Sequence, residues 1–144
     1  MKQFSILFSS LIIIFFMSGC HSPKPAVEGT ENASLSGYWQ LNYISGRRIA
    51  FEGLYPDKRP EISFDFSRDE INGYTTCNPF SSKFTMEVNK ISISAPNAST
   101  MSACEGEGEK AFLDMLQKVN KYTVQDSVLN FLIDDVAVMR FAKK

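Results

Sequence analysis

The sequence predicts an α+β domain, a strongly curved antiparallel sheet of seven or eight strands (a partial or conical barrel) with one α-helix packed against it. Three observations lead there. Short segments of β-forming residues with alternating apolar side chains recur from residue 35 onward. Turn residues separate most of them by only two to four positions, and strands joined so tightly pair antiparallel, because parallel pairs need long crossovers. A single segment carries the three- and four-residue apolar spacing of a helix.

Taken in order, Gly37–Ile44 (GYWQLNYI) is the first strand, with Gly46 as a turn residue after it. Arg47–Arg59 contains Gly53 and Pro56 and reads as a loop with a short strand at its start. Glu61–Phe66 alternates, placing Ile62, Phe64 and Phe66 on one face. Ser67-Arg68-Asp69 turns into Glu70–Tyr74. Ser82–Val88 offers Phe84, Met86 and Val88 to one side, and Asn89-Lys90 turns the chain into Lys90–Ser94. In Gly108–Asn120 the residues Phe112, Met115, Leu116 and Val119 form one stripe, which reads as core. Glu105, Glu107 and Glu109 at its start, and Lys118 and Lys121 at its end, suit the helix dipole. Lys121–Gln125, Val128–Ile133 and Val136–Ala142 complete the sheet through turns at Asp126-Ser127 and Asp134-Asp135.

The amino terminus is of a different kind. Lys2 precedes Phe4–Met17, a 14-residue stretch with three serines and no charge. As a helix it would rise about 21 Å, short of the ~30 Å hydrocarbon core, so it reads as the apolar part of a signal peptide. It ends in Met17-Ser18-Gly19-Cys20, which resembles the lipobox of bacterial lipoproteins, with Met17 where Leu is usual. The resemblance implies a signal peptide over 1–19 and lipidation, palmitate included, at Cys20, with the membrane as the expected first partner. Each buried methylene contributes ~0.8 kcal/mol, so two or three acyl chains anchor durably. Residues 20–34 then read as the lipidated cysteine and a flexible tether, and 35–144 as one small domain. His21 follows the anchor where an Asp commonly retains lipoproteins in the inner membrane, so the expected location is the outer membrane, facing the periplasm.

Charge narrows the partners. Removal of the first 19 residues takes Lys2 and no acid, leaving 14 basic and 16 acidic residues and a formal charge of −2. Nucleic-acid binding relies on a basic field and is not expected. Cys77 and Cys104, 27 positions apart, are an even pair in an exported chain and read as a disulfide, with free buried thiols as the rival. Such a bond would add at most roughly 3.5 kcal/mol. A thiol–disulfide exchanger normally has its cysteines two residues apart, so a structural role is expected.

These residues resemble the META domain, the fold of HslJ-type envelope proteins. The resemblance runs through Leu35–Leu41 around Trp39, then Gly73-Tyr74-Thr75-Thr76-Cys77-Asn78-Pro79-Phe80, then Thr100-Met101-Ser102-Ala103-Cys104, and last Glu109, Phe112 and Leu116. Thr76 replaces a usual Gly and Ser102 a usual Met. The resemblance implies a bent antiparallel sheet with one helix, a frequent lipoprotein anchor and links to stress tolerance, with no general enzymatic activity. Read physically, Trp39 is core with one partner needed for its N–H. Gly73 suits a bulge or a close backbone approach. Asn78 tolerates left-handed geometry, although Pro79 biases it toward extended conformations.

Catalysis is not expected. The domain has no histidine, because His21 lies on the tether, which removes His-based triads and His-ligated zinc. Asp65, Asp69, Glu70, Asp134 and Asp135 fall on outward faces or in turns, and no phosphate-binding loop or cofactor motif is present. Two functions remain: a monomeric module that docks on another envelope protein or supports envelope integrity, or a carrier of a lipid or other hydrophobic ligand inside the sheet.

Overall fold

The computed structural model describes residues 34–46, 48–97 and 104–144. The expected signal peptide, the Cys20 anchor, nearly all of the tether, and Thr100 with its neighbours through Ala103 lie outside the described residues. Eight strands close an antiparallel barrel in sequence order. They are β1 Tyr38–Ile44, β2 Glu61–Asp65, β3 Glu70–Tyr74, β4 Pro79–Glu87, β5 Lys90–Ile93, β6 Lys121–Gln125, β7 Val128–Ile133 and β8 Val136–Lys143. Helix α1 is the short Phe51–Leu54, and α2 is Gly108–Leu116.

Alternation builds the barrel wall. Trp39 pairs across to Ile62, Ile62 to Gly73, and Gly73 to Phe80. Trp39, Ile62 and Phe80 of this row are buried, whereas the next row, with Tyr38, Ser63, Asn72 and Ser81, faces outward. Two irregularities adjust the curvature. β1 shifts register between Leu41 and Tyr43, leaving Asn42 and Tyr43 both exposed, and β8 shifts beside Met139, leaving Val138 and Met139 both buried. Such bulges bend a strand and increase its twist, which closure of a small barrel requires. Closure is thinnest between β5 and β6, which pair only at Lys90 and Lys121. Tyr122 reinforces that seam by donating its hydroxyl to the Val88 carbonyl at 2.8 Å.

The interior is filled by rings. Phe80 meets Phe112 edge to face at 5.5 Å, Phe112 meets Phe141 at 6.5 Å, and Phe141 meets Phe131 at 5.4 Å. Phe64, Phe66 and Phe84 form a second group, and Phe51 packs on Tyr55. All eight phenylalanines of the domain are thus core or packed against it. Trp39 is fully buried and its indole N–H donates to the Leu35 carbonyl at 2.9 Å, the one partner it needs.

Several expectations need correction. Among the described residues, no strand opens the segment from 47 to 59. Its described part holds α1 instead, four residues too short to show periodicity, which put Leu54 and Tyr55 into the core. Helix α2 ends at Leu116 and not at Asn120. The chain turns there because the Lys118 N–H bonds back to Met115 and the Asn120 N–H goes to Leu132 of β7, and Val119 stays buried outside the helix. Strand β4 starts three residues early, at Pro79, a position a proline can take because it begins the strand. Val88 is not on the apolar face. It sits in the β4–β5 turn at φ 55° and is 68% exposed.

Gly73 resolves to a close approach. The register around it is unbroken, so no bulge is present, and a Cβ there would run into the Glu61 carbonyl oxygen of β2. Two substitutions test these backbone constraints by urea unfolding. Gly73→Ala is expected to cost about 2 kcal/mol or more, since neither backbone can yield. Val88→Asn is expected to add about 1 kcal/mol, because left-handed geometry strains a β-branched residue and suits Asn.

Candidate functional site

Two clefts stand out on the described surface, and different elements build them. The first lies on the outer face of β1 to β4. Its rims are Tyr38 and Tyr74, 64% and 48% exposed, and its floor holds Glu61, Ser63, Asn72 and Gly73, with Pro79 at one side. The two tyrosines stand on β1 and β3 with β2 between them and are offset by two residues along the strands, about 12 Å apart at ~4.8 Å per strand and ~3.4 Å per residue. The small side chain of Ser63, beside the Gly73 backbone, leaves a groove of about 400 Å³. Lys58 lies 4.2 Å from the centre of the Tyr74 ring.

Among the described residues, Glu61 is the only carboxylate that lines this groove. It accepts hydrogen bonds from Lys144 at 2.7 Å and Gln40 at 3.0 Å. The Lys144 bond foremost, then Gln40 and the charges of Lys144 and Lys58, hold its carboxyl below the ordinary range, while partial burial acts in the opposite sense. The groove is therefore close to electroneutral, with aromatic surface, a hydroxyl and an amide to offer.

The second cleft, also about 400 Å³, is lined by Leu54, Pro56, Lys58, Thr76, Cys77 and Cys104, among others. Cys77 and Cys104 form a disulfide across a Cα–Cα distance of 5.9 Å, which removes the rival of free thiols. Behind it lies a polar cluster. Thr75 closes a turn by donating its N–H to the Asn78 carbonyl at 2.9 Å, and its hydroxyl donates to Glu109 at 2.8 Å. The Asn78 amide donates to both Glu109 oxygens, at 3.0 and 3.1 Å, and lies 3.2 Å from the Cys104 sulfur. Asn78 is buried and has no left-handed φ, in keeping with the bias that Pro79 imposes, and its amide is the part that matters. The sulfurs and a Glu109 oxygen all lie within 4.8 Å of one another, but the S–S bond takes away the thiolates a metal would need.

Beneath this cluster α1 supports α2. The Tyr55 hydroxyl donates to the Gly108 carbonyl at 3.1 Å, and a Cβ on Gly108 would strike the Leu54 carbonyl. Thr76, which departs from the usual glycine, buries a hydroxyl oxygen with no partner among the described residues.

The structure thus unites Gly73, Asn78, Cys77, Cys104 and the Phe112 helix, while Trp39 stays in the core. Sequence reading missed two features. Glu109 was read as a charge suited to the helix dipole and as a member of the META motif set, but not as the acceptor that Thr75 and Asn78 share. The Tyr38–Tyr74 groove had no signal, because its residues come from strands far apart in sequence. The expected outward carboxylates are surface-paired: Asp65 and Glu70 with Arg68, Glu70 also with Lys83, and Asp135 with Lys121. Asp65 is held below its ordinary range first by the Ser67 hydroxyl and then by Arg68.

A pH test follows from Glu61. A carboxyl whose folded pKa is lowered adds stability that is complete above its unfolded pKa and is lost as pH falls through the folded one. Urea unfolding at pH 6 and pH 3 is expected to show a fall in stability. In Glu61→Gln that fall is expected to shrink by about 0.5 kcal/mol or less, the scale of an exposed pair.

Comparison with known proteins bears on fold and family. The described barrel is similar to an NMR structure of a protein from Burkholderia xenovorans, with 15% identity, 80% of this chain and 87% of that chain covered, and a TM-score of 0.59. It is also similar to the crystal structure of a DUF4847 family protein from Bacteroides vulgatus, with 16% identity, 81% and 98% covered, and a TM-score of 0.57. At such identity the likeness concerns the fold alone. No curated protein matches the sequence. The META domain model matches residues 33–144, the whole barrel with its helix, and the chain belongs to the META domain family.

Proposed function

We propose that the chain is a non-catalytic lipoprotein module of the bacterial cell envelope that docks on another envelope protein and supports envelope integrity under stress. The lipid, palmitate included, is carried by Cys20, and the tether of residues 20–34 gives up to ~45 Å of reach at ~3.3 Å per residue. The order of charge, 14-residue apolar stretch, small residues and cysteine supports export and anchoring. The outer membrane, facing the periplasm, is the location this reading assigns.

The observation that carries the docking role is the Tyr38–Tyr74 groove. Tyrosine is the side chain interfaces favour, because it brings large rigid area and a polar tip at low entropic cost. Here two stand exposed over a floor of Ser63 and Asn72, on a sheet face whose opposite side is core. The alternative, a carrier of hydrophobic ligand, needs interior space. The ring series from Phe80 to Phe131 crosses that interior, which favours docking from the outer face.

The test is site-specific photo-crosslinking of the anchored full chain in cells. A photoreactive residue at Tyr38 or Tyr74 is expected to give one discrete protein adduct, and at Val136, 65% exposed on another part of the barrel, none. Cys20→Ala is expected to abolish the adduct. Equal labelling from Val136, or no adduct from either tyrosine, would overturn the docking face.

A further inference from the structure

We propose that the Cys77–Cys104 disulfide is a thiol–disulfide exchange site, reduced in the folded protein by an external dithiol that enters at Cys77. Four observations support this. Cys77 is an exposed residue while Cys104 is half-buried, so the Cys77 side of the bond is the more open to approach. Both line a surface cleft of about 400 Å³, room enough for a nucleophilic side chain to approach. The sulfur that would leave, that of Cys104, has the Asn78 amide donor 3.2 Å away. A donor to the departing thiolate lowers its basicity, and lower basicity in the leaving thiol speeds exchange.

The fourth observation concerns what remains after the bond opens. The segments that the disulfide joins are also held together by Thr75 and Asn78, which donate three hydrogen bonds to Glu109 at 2.8, 3.0 and 3.1 Å. The turn is closed on its own by the Thr75 N–H to the Asn78 carbonyl, and α2 is seated independently by Phe112. The disulfide and the polar cluster therefore run in parallel. Opening the first leaves the second in place, so reduction does not require unfolding.

The step balances as follows. A thiolate of the dithiol attacks the Cys77 sulfur, the Cys77–Cys104 bond breaks, and its electron pair leaves on Cys104 beside Asn78. The second thiol of the dithiol then attacks the mixed disulfide and releases Cys77. The protein gains two electrons and, at neutral pH, two protons. The dithiol becomes a disulfide. Glu109 opposes the step, because its carboxylate lies within 4.8 Å of both sulfurs. Asn78 and Glu109 thus act with opposite signs on one leaving group.

The full chain in detergent, incubated with a Cys-x-x-Cys oxidoreductase lacking its resolving cysteine, tests this. Mass mapping is expected to find the mixed disulfide at Cys77, and complete reduction by the intact dithiol protein is expected to leave the far-UV circular dichroism unchanged. Asn78→Ala is expected to slow the first step about tenfold, and Glu109→Gln, which keeps an acceptor for Asn78, to speed it several-fold. Trapping at Cys104, or reduction only as the circular dichroism signal is lost, would overturn the proposal. So would the two variants shifting the rate in the same direction. If either variant misfolds, the trapping result on the unaltered chain still decides.

Discussion

What the rest of the structure depends on is the filling of a small barrel by its single long helix. Eight strands wound into a closed sheet leave an interior that a sheet alone cannot fill, because some inward positions hold small residues such as Gly73. Phe112 of α2 meets Phe80 of β4 on one side and Phe141 of β8 on the other, and Ala111 and Leu116 are buried with it. Each buried ring or branched chain adds about 1.5–3 kcal/mol. The helix is thereby part of the core of the sheet and not an appendage to it.

Seating the helix this way constrains its entry. Glycine at 108 lets the first turn press on the Leu54 carbonyl, and the Tyr55 hydroxyl reaches the same residue. Glu109 then receives Thr75 and Asn78, tying the start of α2 to the turn before β4, and the disulfide spans the same junction. Buried polar groups are costly unless bonded, so the Asn78 amide and the Glu109 carboxylate depend on each other. The far side of the barrel is less secured. There β5 and β6 meet at a single residue pair, backed by a tyrosine bonded to a strained turn.

Much of this was legible in the sequence, for a physical reason that also marks the limits. Period-two alternation is a local signal, so Ile62, Phe64, Phe84 and the strands from Lys121 onward could be placed from their neighbours alone. The META resemblance joined Trp39, Gly73, Cys77, Cys104 and Phe112 into one fold. Local signals fail where tertiary contacts decide. The bulges at Asn42 and Val138 exist because the barrel must close, α1 because Leu54 and Tyr55 support α2, and the end of α2 because Asn120 is drawn to β7. At Asn78 the sequence spoke only to backbone conformation, whereas the structure uses its amide as a buried donor. The Tyr38–Tyr74 groove depends on strand order, which no short window contains.

An interior crossed by aromatic side chains is what the proposed docking from the outer face rests on. The outer face of β1 to β4 carries exposed tyrosines over small polar residues, while its inner face carries Trp39, Ile62 and Phe80. Native mass spectrometry of the protein extracted from membranes tests it most directly. The account predicts a mass equal to the chain with its covalent anchor and nothing else. A hydrophobic ligand found reproducibly in the folded protein, and released only on unfolding, would contradict it.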